Sequence, residues 1–111
     1  MKIYYDSAGD LLETQFLSGL AHQRTGIGIS EHITLFCDTE YSEVLGFTIF
    51  SYSKLLKLPA ISTTELMQQP VVIQKRIQKL FSRSPLNRFF RLNENQIHLT
   101  DSQLSELIKA T

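Results

Sequence analysis

The spacing of apolar residues changes near the middle of this chain, and this change constrains the fold more than any other feature of the sequence. Before residue 58, short runs such as residues 11–17 alternate apolar with polar side chains. Later segments, most clearly residues 71–81, place apolar residues three or four positions apart. A period of two is typical of half-buried strands, and a period near 3.6 is typical of amphipathic helices. The sequence therefore predicts an α+β fold with strands first and helices second.

The first part of the chain contains several predicted strands, which turn-forming clusters at residues 6–10 and 38–42 help to separate. The strand segments are residues 2–5, 11–17, 26–29, 33–37 and 44–50. Connections this short favour hairpins, because parallel strands need long crossovers. We therefore expect an antiparallel β-meander of four or five strands. Alternation places these side chains in its buried layer: Leu12, Phe16, Ile33, Leu35, Phe47 and Ile49.

The second part predicts three or four helices. Residues 53–58 could form one or two helical turns before Pro59, and the helical segments that follow are residues 62–69, 71–81, 84–91 and 101–109, with a brief strand at 96–99. Proline suits the first turn of a helix, and Pro70 and Pro85 lie at two of these starts. Thr100 and Gln103 form a capping-box pattern before the last segment. The segment around Pro59 is the only plausible boundary between two parts of the chain. We therefore expect a β-rich domain at 1–58 and a helical, basic extension at 59–111, packed on or beside it.

Length and composition limit the class of protein. A chain of 111 residues suits one domain, or one small domain with an extension. Its single cysteine, Cys37, excludes an internal disulfide framework and favours a reducing compartment. No apolar run approaches the roughly 18 residues that a membrane-spanning helix needs. We therefore expect a soluble, cytoplasmic protein without a membrane span.

The charges are balanced in number but divided along the chain. Residues 1–60 hold seven acidic and four basic side chains, and residues 61–111 hold four acidic and seven basic ones. No acidic residue interrupts the basic side chains between residues 66 and 93, which are Lys75, Arg76, Lys79, Arg83, Arg88 and Arg91. Such a stretch suits an acidic protein, phosphates or anionic lipid. We predict that these six residues bind a partner, although a solvated face or packing against the acidic half would explain them too.

Acidic residues near the amino terminus are a second candidate site. Asp6, Asp10 and Glu13 could hold a divalent cation or act as an acid–base pair. Aspartates in a turn, however, usually accept hydrogen bonds from their own backbone. We therefore assign no metal site and no cofactor to these residues.

The histidines and the cysteine are a third candidate. His32, His22 and Cys37 could meet across a hairpin and form a nucleophilic pair. Cys37 alternates with apolar neighbours, which favours a buried structural thiol instead. None of these residues has the spacing of a zinc site. The sequence thus predicts no catalytic residue and a protein that is not an enzyme.

The order of several short elements resembles a family of small uncharacterised bacterial β-rich domains. Members open with Met-Lys-Ile-x-Tyr-Asp, and this chain opens with Met-Lys-Ile-Tyr-Tyr-Asp and continues through Gly9-Asp10-Leu11-Leu12. Further similar elements are Gly26, the segment 33–38, the strand 44–50 and Ser53-Lys54, so that the resemblance covers residues 1–57. Thr48 stands where the family commonly has glutamate. The resemblance implies a small β-rich module and, through family members encoded beside small toxins, an antitoxin-like role.

Together these features predict a small non-enzymatic binding or regulatory module. We expect it to act through a protein partner or through self-association as a homo-oligomer such as a homodimer. The alternative is nucleic-acid binding by the basic segment 71–91. Equal numbers of acidic and basic residues, 11 of each, argue against a dedicated nucleic-acid binder.

Overall fold

A computed structural model describes residues 2–16 and 24–100 of the chain. Its larger sheet has five antiparallel strands in the order β1-β2-β5-β4-β3. Their bounds are β1 Lys2–Asp6, β2 Leu11–Gln15, β3 Thr25–Gly28, β4 Ile33–Cys37 and β5 Val44–Phe50. All five lie within one or two residues of the predicted segments, because alternation of apolar and polar side chains is a local property of a strand.

The strand order differs from the simple meander that short connections favour. β3, β4 and β5 do form a meander, and β1 and β2 form a hairpin, but β2 pairs with β5 and lies two strands away from β4. β5 is the longest strand, and most of its residues are buried. A position at the centre of the sheet keeps its apolar side chains covered by neighbouring elements. The prediction of consecutive neighbours was therefore wrong between β2 and β3.

One face of the five-stranded sheet packs into the core. The six side chains predicted in the buried layer are all at most 9% exposed, which confirms the register inferred from the sequence. Those side chains are Leu12, Phe16, Ile33, Leu35, Phe47 and Ile49. The opposite face carries residues such as Tyr4, Glu13 and Thr48, which are opposite one another in the register of β1, β2 and β5. We call this opposite side the outer face.

The remaining described residues form short helices and a second sheet. The helices are α1 Tyr52–Leu55, α2 Thr64–Met67 and α3 Val71–Phe81, followed by a 3-10 helix at Leu86–Arg88. β6 Ile61–Ser62, β8 Gln96–Leu99 and β7 Phe90–Asn93 form a three-stranded antiparallel sheet in that order. The α+β class is confirmed, and α3 and β8 occupy their predicted segments.

The helix predicted at 84–91 was wrong beyond its first turn. Only Leu86–Arg88 is helical, and the chain then enters β7. Phe90 lies opposite Leu99 in this pairing, so strand pairing with a distant segment outweighs the weak local preference for helix. The helix predicted at 101–109 lies outside the described residues. Thr100, its predicted cap, donates its hydroxyl to the Arg88 carbonyl at 2.6 Å.

The second part of the chain packs on the inner face of the large sheet. The Phe47 ring on β5 lies 4.8 Å from the Phe90 ring and 5.7 Å from the Phe89 ring, measured between centroids. The Leu66 amide of α2 also donates to the Ile29 carbonyl after β3. One hydrophobic cluster contains side chains from both parts. The division at residue 58 into a domain and an extension stays a prediction. Within residues 2–16 and 24–100, no helix is long and apolar enough to cross a membrane.

Candidate interaction surface

The basic side chains of α3 are exposed because the apolar stripe of this helix fixes its orientation. Ile77, Leu80 and Phe81 are at most 3% exposed, and they turn one side of the helix into the core. The basic residues at the intervening positions therefore face solvent. These residues are Lys75, Arg76 and Lys79, and Arg83 follows just beyond the end of α3; all four are exposed.

The turn between β4 and β5 lies beside this basic side of α3. The Arg76 guanidinium donates a hydrogen bond to the Glu40 carbonyl at 3.0 Å, and the Arg83 guanidinium donates to the Ser42 carbonyl, also at 3.0 Å. Both acceptors are backbone oxygens, so the carboxylates of the turn are not used in these contacts. The two arginines thus join α3 to a segment about 40 residues earlier in the chain.

Asp38 holds this turn in place. Its carboxylate accepts hydrogen bonds from the Ser42 amide at 2.7 Å and the Glu43 amide at 3.0 Å, and from the Ser42 hydroxyl. Burial acts to raise the pKa of Asp38, but these hydrogen bonds outweigh it and leave the pKa below its ordinary value. Tyr41, at the tip, adopts a positive φ of 58°. The backbone carbonyls that accept hydrogen bonds from the two arginines therefore belong to a turn that hydrogen bonds to Asp38 hold in one conformation.

Between α3 and this turn there is a shallow groove. One part of the groove, about 380 Å³, is lined by Glu40, Tyr41, Ser42, Arg76, Lys79 and Arg83. An adjoining part shares Ser42 and Arg83 and extends toward Glu43 and Pro85. We call these two parts together the α3 groove. Exposed cations and exposed carboxylates therefore lie along the same feature, which brings part of the acidic first half of the chain beside the basic second half.

The structure brings together only part of the predicted partner-binding set. Arg76, Lys79 and Arg83 line the α3 groove, and Lys75 is exposed on the same helix. Arg88 lies in the 3-10 helix and Arg91 in β7, and neither lines the groove. Both are exposed, and whether they extend the surface stays a prediction.

Asp10 forms a polar node that the sequence did not predict. Its carboxylate accepts hydrogen bonds from the Tyr5 hydroxyl at 2.7 Å and from the Ser53 hydroxyl, also at 2.7 Å, and its carbonyl accepts the Tyr52 amide at 3.0 Å. The hydrogen bonds from Ser53, followed by the one from Tyr5, lower the pKa of Asp10. The Asp10 hydrogen bond in turn raises the pKa of Tyr5. This node joins the β1–β2 turn to α1, and the only sequence signal for it is that Gly9-Asp10 and Ser53-Lys54 both belong to the family resemblance.

Asp6 and Glu13, the other two acidic residues near the amino terminus, lie in different environments from that of Asp10. Asp6 accepts a hydrogen bond from the Ala8 amide at 3.1 Å, as an aspartate in a turn usually does, and Glu13 is exposed on the outer face. Among the residues that the structure describes, no three histidine, cysteine or acidic side chains form a group that could hold a metal ion. The three residues Asp6, Asp10 and Glu13 thus act separately.

His32 and Cys37 do not form a pair. β4 alternates faces, so that Cys37 is buried on the inner side while residue 32 precedes the opposite end of the strand. Burial raises the pKa of the Cys37 thiol to about 11, and the nearby Asp38 carboxylate acts in the same direction. A nucleophilic cysteine needs a lowered pKa, so the environment of Cys37 is that of a structural thiol. His22 lies outside the described residues.

No protein-family model, curated protein or solved structure matches this chain. The resemblance over residues 1–57 consequently stays a prediction.

Proposed function

We propose that this chain is a small non-enzymatic binding or regulatory module that acts through a protein partner, and that the α3 groove contacts this partner. The observation that carries the proposal is the anchoring of Arg76 and Arg83 on backbone carbonyls of the β4–β5 turn. A guanidinium has five N–H donors, so each arginine keeps donors for a partner while part of its side chain is already positioned. Side chains ordered before association reduce the entropy lost on binding.

The charges along the groove favour a protein over a nucleic acid. Glu40 and Glu43 are exposed beside Arg83 and Lys79, and a phosphate backbone would be repelled by these carboxylates. A protein surface can present carboxylates to the arginines and cations to the glutamates, since interfaces match charge locally. The partner that fits is therefore a protein whose contact surface is mainly acidic with some basic side chains.

Nucleic-acid binding is the second candidate function. The observation that favours it is the exposure of all six cations between residues 66 and 93, where no acidic residue interrupts them along the chain. In this case Arg88 and Arg91 would contribute as much as the residues of α3, because each would neutralise a phosphate.

An antitoxin-like role is part of the proposal and is supported by the resemblance of residues 1–57 alone. The buried Cys37, with its pKa of about 11, supports a module without nucleophilic chemistry at this thiol. Residence in the cytoplasm is supported by the same unpaired cysteine.

The test uses charge reversal at Lys75 and Lys79, whose side chains make no hydrogen bond to another residue that the structure describes. Lys75→Glu/Lys79→Glu leaves the Arg76 and Arg83 anchors in place, and Lys54→Glu/Lys57→Glu is a control with the same change in net charge. We expect a protein recovered by affinity enrichment with the parent and the control but not with the α3 variant. With that protein purified, calorimetry should show binding weakened about tenfold or more by the α3 reversal.

The same variants separate the two candidate functions. Fluorescence anisotropy with short single- and double-stranded oligonucleotides, titrated over salt concentration, should show no specific binding. An affinity that falls steeply with salt, and that is lost on both Lys75→Glu/Lys79→Glu and Arg88→Glu/Arg91→Glu, would establish nucleic-acid binding instead. If neither a protein nor a nucleic acid distinguishes the α3 variant from the control, the proposal is wrong.

A further inference from the structure

Among the strands that the structure describes, β1 lies at one edge of the large sheet. β1 pairs with β2 on one side, and within residues 2–16 and 24–100 no strand pairs with its other side. An exposed strand edge presents unpaired backbone N–H and C=O groups that can pair with another strand. β1 has five residues, and it carries neither the proline nor the bulge that often blocks such an edge.

The opposite edge of the sheet differs from β1. β3 has four residues, of which two are glycines, so it offers few side chains to a second strand. The α2 helix also packs near it, and the Leu66 amide donates to the Ile29 carbonyl just after β3. Of the two edges, β1 is therefore the one with side chains suited to pairing.

Two copies of β1 placed antiparallel have complementary side chains. Lys2 and Asp6 lie at its two ends with opposite charges, and both are exposed. Tyr4 lies at its centre and is 60% exposed. An antiparallel pair centred on Tyr4 places Lys2 of each copy opposite Asp6 of the other, and the two Tyr4 side chains opposite each other. A two-fold interface requires this reciprocity, because the same residues meet from both sides.

The inner side of β1 is consistent with the same pairing. Ile3 and Tyr5 are half-buried and pack against the core cluster. In the antiparallel register, Ile3 of one copy lies opposite Tyr5 of the other, which would extend the apolar layer across the interface. Opposite charges, aromatic pairs and aromatic–β-branched pairs are each favourable between neighbouring strands.

We propose that a second copy of this chain binds the outer edge of β1, with the two β1 strands antiparallel and centred on Tyr4. The large sheets of both copies then form one continuous sheet. This surface is separate from the α3 groove, so the inference does not rest on the proposed function.

The test is a charge swap at the two ends of β1, read by sedimentation equilibrium. The parent should associate to twice its 12.7 kDa mass. Lys2→Glu places two acidic pairs across the interface, and Asp6→Lys places two basic pairs there. Each should raise the dimer dissociation constant about tenfold or more, because two contacts change from attraction to repulsion. Lys57→Glu, at an exposed lysine after α1, is the control and should leave it unchanged.

Two further samples identify the register. The double variant Lys2→Glu/Asp6→Lys should dimerise like the parent, because both pairs regain opposite charges. An equimolar mixture of Lys2→Glu and Asp6→Lys should form a heterodimer for the same reason. Circular dichroism of each variant shows whether it is folded, which is needed because Asp6 also accepts the Ala8 amide.

The following results would overturn the inference. A parent that remains monomeric up to about 1 mM, a range in which weak pairs already associate, excludes the proposed dimer. Folded single variants that still dimerise like the parent exclude β1 as the interface. A dimer that dissociates on Lys75→Glu/Lys79→Glu but not on Lys2→Glu would show that the α3 groove joins the copies instead. Failure of the double variant to restore dimerisation excludes this register.

Discussion

Replacing Phe47 with alanine should strongly destabilise this protein. Phe47 is 1% exposed on the central strand β5, and its ring is surrounded by three other rings. The centroid of Phe16 lies 6.0 Å away, that of Phe89 5.7 Å and that of Phe90 4.8 Å. Truncating a buried phenylalanine costs about 3–5 kcal/mol, and the cost is highest where the surroundings cannot collapse. A central strand paired on both sides cannot move into the cavity, so we expect the upper part of this range.

Urea denaturation followed by circular dichroism measures this loss. The chain has no tryptophan but four tyrosines, so tyrosine fluorescence supplies a second probe. With a dependence of about 1.5 kcal/mol per molar urea, a loss of about 4–5 kcal/mol should lower the urea midpoint by about 3 M. Both probes should report one shared transition, because the Phe47 contacts join the large sheet to the second part of the chain.

Phe36→Ala is the matched control, since it removes the same side chain from the same sheet. Phe36 lies on the outer face, is only half-buried, and packs over Gly26 and against Arg24. Its loss should cost about 1 kcal/mol, the central value for single substitutions. A loss of stability from Phe47→Ala no larger than that from Phe36→Ala would contradict the packing described for Phe47. A shift in only one of two separate transitions would contradict a shared core, because the two parts would then fold independently.

Three other perturbations have expected outcomes. Gly46→Ala should lower the free energy of unfolding by about 1–3 kcal/mol or more in the same denaturation assay, because a Cβ at residue 46 would lie 2.4 Å from the Thr14 carbonyl oxygen. A urea midpoint equal to that of the parent would contradict that contact. The pKa of Asp10 is lowered, so its stabilising contribution is complete above about pH 4 and is lost as the pH falls through the folded-state pKa. Asp10→Asn should therefore reduce the difference in stability between pH 7 and pH 3, and an unchanged difference would assign that pH dependence to other groups. Cys37 should react with a thiol reagent only on unfolding, because it is buried and its pKa is raised to about 11; labelling of the native protein at the rate of an exposed thiol would refute this.

The features of this fold that depend on local periodicity could be predicted from the sequence. Alternation of side chains located the strands of the large sheet and the face that each one buries, as the core positions of Leu12 and Phe47 illustrate. Helical spacing after Pro70 gave the bounds of α3 and the side of it that carries Lys75 and Lys79. These features are accessible because the backbone geometry of strands and helices fixes where neighbouring side chains point.

The contacts between these elements could not be predicted from the sequence and are visible in the tertiary structure. The pairing of β2 with β5, the hydrogen bonds of Asp10 with Ser53, and the anchoring of Arg76 and Arg83 on the β4–β5 turn all join residues 30 or more positions apart. β7 likewise forms where the local pattern favours a helix, because β8 pairs with it. Such contacts depend on how the apolar faces of distant segments bury one another, and no local pattern of side chains specifies that arrangement.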